Sequence, residues 1–101
     1  MRKFFFQDIL YIEGMCDYRC IQTTSKKILT LQTFGELESE LPGNRFCRVH
    51  KSYIVTLDKI DRIERNRIKI GNKLIPISET YKDSFYHLIG LKHSERRDLS
   101  T

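Results

Sequence analysis

No apolar run in this sequence approaches the roughly 18 residues that a membrane helix needs, so no stretch of it reads as a span. Residues 1–15 do not read as a signal peptide. Arg2 and Lys3 are basic, but Gln7, Asp8 and Glu13 interrupt any apolar segment behind them. A cytoplasmic location without a membrane partner is the expectation. There is no Gly-rich phosphate loop; the five glycines are isolated turn residues. Neither a Ser nor a Cys stands in a nucleophile motif with His50, His87 or His93, and the acids are scattered singly or beside basic residues. The chain is therefore not expected to be an enzyme, and no cofactor is implied. No internal repeat or low-complexity linker breaks it. The cysteines Cys16, Cys20 and Cys47 are odd in number, which fits a reducing compartment and no disulfide framework.

What is present is a chain of 101 residues, enough for one domain with a modest core. At 40% hydrophobic residues it is lean, and its six Phe and five Tyr are expected to carry much of the burial. The formal charge is +5, from 18 basic and 13 acidic residues. Such a bias is either a soluble surface with surplus lysine or an attraction to phosphate. Cys16, Cys20, Cys47 and His50 can be drawn as a zinc set, Cys-x3-Cys and Cys-x2-His. Structural sites prefer tight Cys-x2-Cys knuckles in Gly-rich turns. Cys20 lies in a strand-like run and Cys47 between Phe46 and Val49, so small buried hydrophobes are the expected role and no metal site is assigned.

Residues 1–7 read as an edge strand or a piece of linker, with an upstream domain expected before them. Strands are expected at Asp8 to Glu13, Tyr18 to Thr24 and Lys27 to Gln32, with turns at 14–17 and 24–26. Thr33 and Glu36 form a capping box, followed by a short helix to Leu41 with Phe34, Leu37 and Leu41 on one face, closed by Pro42-Gly43-Asn44. Strands at 59–64, 67–70 and 73–77 follow, with Gly71-Asn72 as a hairpin turn and Pro76 implying an edge. A final helix, capped by Ser78 or Thr80, should turn Tyr81, Phe85, Leu88 and Ile89 inward and end at Gly90. Residues 91–101 read as a flexible tail. Seven or eight short strands with one or two small helices make the class mostly β.

The stretch from Arg45 to Ile60 organises the rest. Cys47 and Val49 alternate with Arg48 and His50, so one strand face is expected to be buried. His50, Lys51 and Ser52 then form a polar, basic tip, and Tyr53, Val55 and Leu57 resume an apolar strand. Polar tips on a rigid scaffold are where binding residues collect. Two other segments put such groups at strand ends: Tyr18-Arg19 and Ser78 to Lys82. If the sheets bring the three ends to one edge, they form a row of loops that can enter DNA grooves. Lys51 and Arg48 can neutralise phosphate, Arg19 can pair with guanine, His50 can meet a base edge, and Ser52 and Ser78 suit phosphate oxygens. Each has a plainer role. Arg48 is otherwise a solvated strand residue, His50 a brace of its turn, Tyr18 core, Ser78 a helix cap and Ser52 an ST-turn residue.

The run Phe46-x-Arg48-Val49-His50-Lys51-Ser52-Tyr53-Ile54-Val55, with Ile60 and Ile75-Pro76-Ile77-Ser78, resembles the core signature of the LytTR-type DNA-binding domain. The resemblance extends from about Asp8 to Leu88, giving a domain over 8–90. It departs at Thr56, where the family usually has Asn, which puts a turn hydrogen bond in question. The resemblance implies an elongated stack of small antiparallel sheets with one short helix in the middle and a short C-terminal helix. It implies contacts to double-stranded promoter DNA from His50-Lys51-Ser52, from Tyr18-Arg19, and from Ser78-Glu79 with Lys82 nearby. Glu79 is repelled by phosphate and suits a cytosine amino group instead. The resemblance further implies direct-repeat sites bound by a homodimer, and an upstream receiver domain on which a histidine kinase acts. That makes the chain the output domain of a two-component response regulator. The rival readings are a basic-edged protein-interaction module and a zinc-stabilised binding domain.

Overall fold

A computed structural model describes residues 6–92. After a 3-10 turn at Phe6–Asp8 come β1 (Ile9–Met15), β2 (Tyr18–Thr23), β3 (Lys27–Thr30), α1 (Phe34–Glu40), β4 (Phe46–His50) and β5 (Tyr53–Thr56). A second 3-10 turn, Leu57–Lys59, leads into β6 (Arg62–Glu64), β7 (Arg67–Ile70), β8 (Lys73–Pro76) and α2 (Glu79–Lys92). The first five strands form one antiparallel sheet in the order β3-β2-β1-β5-β4, and the last three form a second in the order β6-β7-β8. The expected mostly-β stack is what the chain builds, with extents of 41 × 26 × 26 Å.

The five-stranded sheet is covered on both faces. One face packs Ile9, Ile12, Ile21, Phe46 and Ile54 against Leu37 of α1 and its C-cap residue Leu41. The other packs Val49 and Val55 against Ile68, Ile70 and Ile75 of the second sheet and Phe85 of α2. Ile54 and Val55, adjacent in β5, therefore serve opposite cores, as the period of two requires. Two bulges adjust that period. One between Ile9 and Tyr11 lets Ile9 and Ile12 both face α1. The other, between Arg48 and His50, lies where β4 ends. Thr56 is fully buried, and its hydroxyl donates to the Ile9 carbonyl at 2.7 Å, tying β5 to the start of β1. That bond joins strands; Thr56 makes no side-chain cap bond to the 3-10 turn that follows it, so the turn hydrogen bond put in question is not made by threonine.

The α1 capping box is present: Glu36 N–H donates to Thr33 Oγ1, and Thr33 N–H donates to the Glu36 carboxylate at 2.8 Å. Pro76 sits on edge strand β8.

Several expectations are corrected. The core is dominated by isoleucine, not aromatics; among the described residues only Phe46 and Phe85 are buried rings. The tyrosines are half-buried, and Tyr53 and Tyr86 donate their hydroxyls to Glu13 and Asn66. Cys47 is only half-buried, because β4 is an edge strand. Cys16 is exposed in the β1–β2 turn with a left-handed φ of 50°, so it is no small core hydrophobe. Gly90 does not end α2, which runs on to Lys92, into the stretch expected as tail. Residues 1–5 and 93–101 lie outside the described residues.

Candidate nucleic-acid interface

The three tips singled out in the sequence lie far apart in the chain, and hydrogen bonds bring them to one end of the molecule. Gly14 N–H, at the end of β1, donates to the Ser52 carbonyl at 2.8 Å, which joins the β1–β2 hairpin to the β4–β5 turn. Ser78 N–H donates to the Val49 carbonyl at 2.9 Å, which joins the start of α2 to the same turn. The backbone segments that carry Tyr18-Arg19, His50-Lys51-Ser52 and Ser78-Glu79 with Lys82 are thereby gathered around one turn, here called the rim. The β6–β7 hairpin tip approaches it as well, since Ile77 N–H donates to the Asn66 carbonyl at 2.9 Å.

His50 braces its turn: Ser52 N–H donates to His50 Nδ1 at 3.1 Å, and the ring sits edge-on to Tyr53 at 5.7 Å. With Nδ1 accepting, the ring proton belongs on Nε2, which makes that nitrogen a donor. Lys51 is exposed at the tip and makes no ion pair among the described residues. Glu79 and Lys82 are paired with each other at 3.3 Å, so the carboxylate on this rim is partly neutralised by its neighbour. Tyr18 is half-buried at the start of β2.

Beneath the rim lies a feature absent from the sequence reading. The Phe34 ring, at the first position of α1, lies 4.3 Å from the Arg48 guanidinium and 5.2 Å from that of Arg19. It fits because position 14 is glycine; a Cβ there would stand 2.8 Å from Phe34 Cε2. The two cations differ in their compensation. Arg48 reaches Glu38 at 3.4 Å, whereas Arg19 makes no ion pair among the described residues and its buried Nε lacks a hydrogen-bond partner. The unpaired Nε is closed to solvent and carries a desolvation cost, so a ligand meets Arg19 at the far end of its guanidinium.

Arg48 was expected among the phosphate-facing residues, and its side chain is turned inward instead. It is 18% exposed, and its Nε and Nη2 donate to the carbonyls of His50 and Lys51 at 2.9 and 2.6 Å.

A second cluster anchors the rim from below. Tyr53 donates to Glu13 at 3.1 Å, and Lys73 of β8 reaches the other oxygen of that carboxylate at 3.5 Å, linking the two sheets. Burial, then the Glu13 hydrogen bond and charge, push the Tyr53 hydroxyl pKa up. No three His, Cys, Asp or Glu side chains among the described residues gather as a metal-holding group. No helix among the described residues is long and apolar enough to cross a membrane.

Comparison with known proteins agrees with this architecture. The sequence profile of the LytTr DNA-binding domain matches residues 1–90. A sensory transduction protein LytT from Bacillus anthracis is 30% identical over 90 residues, covering 82% of this chain and 36% of that protein. The LytT of Bacillus cereus matches with the same identity and coverage. The chain thus spans about a third of the length of these curated relatives. Among solved structures, a LytTr DNA-binding domain from Bacillus cereus superposes with a TM-score of 0.77 at 24% identity, covering 84% of each chain.

Proposed function

The chain belongs to the LytTr DNA-binding domain family, and we propose that it reads double-stranded promoter DNA through the loops of its rim, as the transcriptional output domain of a two-component response regulator. The observation that carries this reading is the convergence of three sequence-distant tips on one end of the molecule, bridged through Gly14–Ser52 and Ser78–Val49. In it, Lys51 and Lys82 contact phosphate, as do the hydroxyls of Ser52 and Ser78. Arg19, supported on Phe34 with its Nε unpaired, pairs with guanine, and His50 Nε2 donates to a base acceptor. Tyr18 lies against the backbone beside Arg19, and Glu79 accepts from a cytosine amino group. Two copies occupy a direct repeat as a homodimer, driven together by an upstream receiver domain that a histidine kinase phosphorylates. No catalytic role is proposed.

The test is duplex binding against salt. A site is first selected by the protein from a randomised duplex pool, and its affinity is measured by fluorescence anisotropy over a range of salt concentrations. Lys51 and Lys82 together give a log–log slope of about −2 for one domain and about −4 for two. Lys51→Ala should weaken all duplexes alike and flatten the per-domain slope by about 1. Absence of salt-dependent duplex binding would leave a basic-edged protein-interaction surface as the better account.

A further inference from the structure

We infer that Arg48 is a positioning residue that sets the spacing of the reading loops and does not itself touch DNA; the inference rests on the rim being the DNA-binding surface. Each of the three guanidinium nitrogens has a partner. Nε and Nη2 donate to the His50 and Lys51 carbonyls, and Nη1 reaches Glu38 Oε1 at 3.4 Å. Its plane lies over Phe34 of α1 at 4.3 Å and near Tyr81 of α2 at 5.3 Å. One side chain therefore touches the β4–β5 turn and both helices, and through Phe34 it reaches the β1–β2 hairpin at Gly14 and Arg19.

The two carbonyl bonds fix the peptide planes that follow His50 and Lys51, and with them the directions in which those side chains leave the backbone. Turning Arg48 out to a phosphate would break both bonds and release the two carbonyls from the donor that orients them. The contacts also need arginine as such. A planar fork can serve two carbonyls and stack on two rings at once, whereas an ammonium is a compact charge without a face. Sequence-specific binding depends on base-reading groups being held at fixed separations, while non-specific binding depends mainly on charge. A latch of this kind should therefore govern selectivity and leave the electrostatic component alone.

The test compares Arg48→Lys with Lys51→Ala in the full chain, on two probes. One is the duplex that the unmodified protein selects from a randomised pool; the other is an alternating dI·dC duplex of equal length. Arg48→Lys keeps the charge. Its affinity for the selected duplex should fall about tenfold, in the range of a single mismatched base pair, with the dI·dC affinity and the salt slope unchanged. Lys51→Ala should weaken both probes and flatten the slope. Equal loss on both probes for Arg48→Lys would make Arg48 a sequence-independent backbone contact and overturn the inference; so would unchanged selectivity. Thermal melting reports whether Arg48→Lys folds. If it does not, Tyr81→Leu, which removes one ring of the stack from a half-buried helix position, should lose selectivity in the same direction, and full retention there overturns the inference. Failure of the unmodified protein to bind any duplex would overturn the DNA reading itself and is seen in a separate measurement.

Discussion

The tightest approach in the rim predicts that Gly14→Ala is harmful and says where the harm comes from. Gly14 lies within a strand, where alanine in place of glycine ordinarily gains about 0.5–1 kcal/mol from reduced chain entropy. No left-handed backbone opposes the change. What opposes it is contact: the new Cβ would lie 2.8 Å from Cε2 and 3.2 Å from Cζ of Phe34. The ring can move only by giving up its place under Arg48 and Arg19, and each exposed cation–π contact is worth about 0.5–1 kcal/mol. Overpacking of this kind typically costs about 1–3 kcal/mol. The balance is a net destabilisation of about 1 kcal/mol. Urea denaturation of Gly14→Ala, Phe34→Leu and the double variant measures it. In the Phe34→Leu background the clash is relieved, so Gly14→Ala should become neutral or slightly stabilising, with a coupling of about 1–2 kcal/mol. Equal cost of Gly14→Ala in both backgrounds would refute the reasoning, as would a stabilising Gly14→Ala on its own.

Three further outcomes follow from backbone and burial. Gly71 has a left-handed φ of 59° with open space around its Cβ position, so Gly71→Ala should destabilise by about 1 kcal/mol through strain alone. Gly90 lies inside α2 with equally open space, so Gly90→Ala should stabilise by about 0.5–1 kcal/mol; melting of the two variants tests the opposite signs. Burial and the Glu38 charge push the Cys47 thiol up to about 11, so it stays protonated at neutral pH and becomes reactive only as the pH nears that value. Exposed Cys16 should therefore alkylate first with iodoacetamide at pH 7, as read by peptide mass spectrometry; faster labelling of Cys47 would contradict its burial.

Signals carried by neighbouring residues were legible in the sequence. Thr33 and Glu36 marked a helix start because the capping box closes within four residues. Gly71-Asn72 marked a hairpin, and Pro76 marked an edge, for equally local reasons. The polar run His50-Lys51-Ser52 showed where a strand had to stop, and it does stop there. The role of Arg48 was not legible, because it depends on where a bulge ends β4 and on two helices from other parts of the chain. A bulge has no composition of its own. Phe34 read as one more apolar residue on the buried face of α1, and it does pack against that core. Its contacts with two guanidiniums require the register that sets Gly14 opposite Arg19, which only the folded sheet supplies. The emphasis on aromatic burial failed for a different reason. Counting rings ignores that isoleucine, β-branched and free of polar atoms, suits a sheet buried on both faces better than tyrosine does.

The excess of basic residues is a poorer guide to the interface than their pairing. Arg45 lies near Asp58, Arg48 meets Glu38, Arg62 meets Glu64, Lys73 meets Glu13 and Lys82 meets Glu79. These cations have partners already, and most of them brace the fold or lie away from the rim. Arg19 and Lys51 are different: both lie on the rim, and neither has an acidic partner among the described residues. They also differ from each other. Lys51 is exposed and hydrated, so its attraction to phosphate is screened by salt. Arg19 is half-buried with an unpaired Nε on an aromatic ring, so part of its desolvation has already been met in the free protein. The planar fork, held on the Phe34 ring, favours a bidentate acceptor, so what Arg19 offers depends on acceptor geometry more than on salt. On the proposed reading, Lys51→Ala should therefore weaken every duplex alike, and Arg19→Ala should change which duplex is preferred, as read by anisotropy on a panel of duplexes.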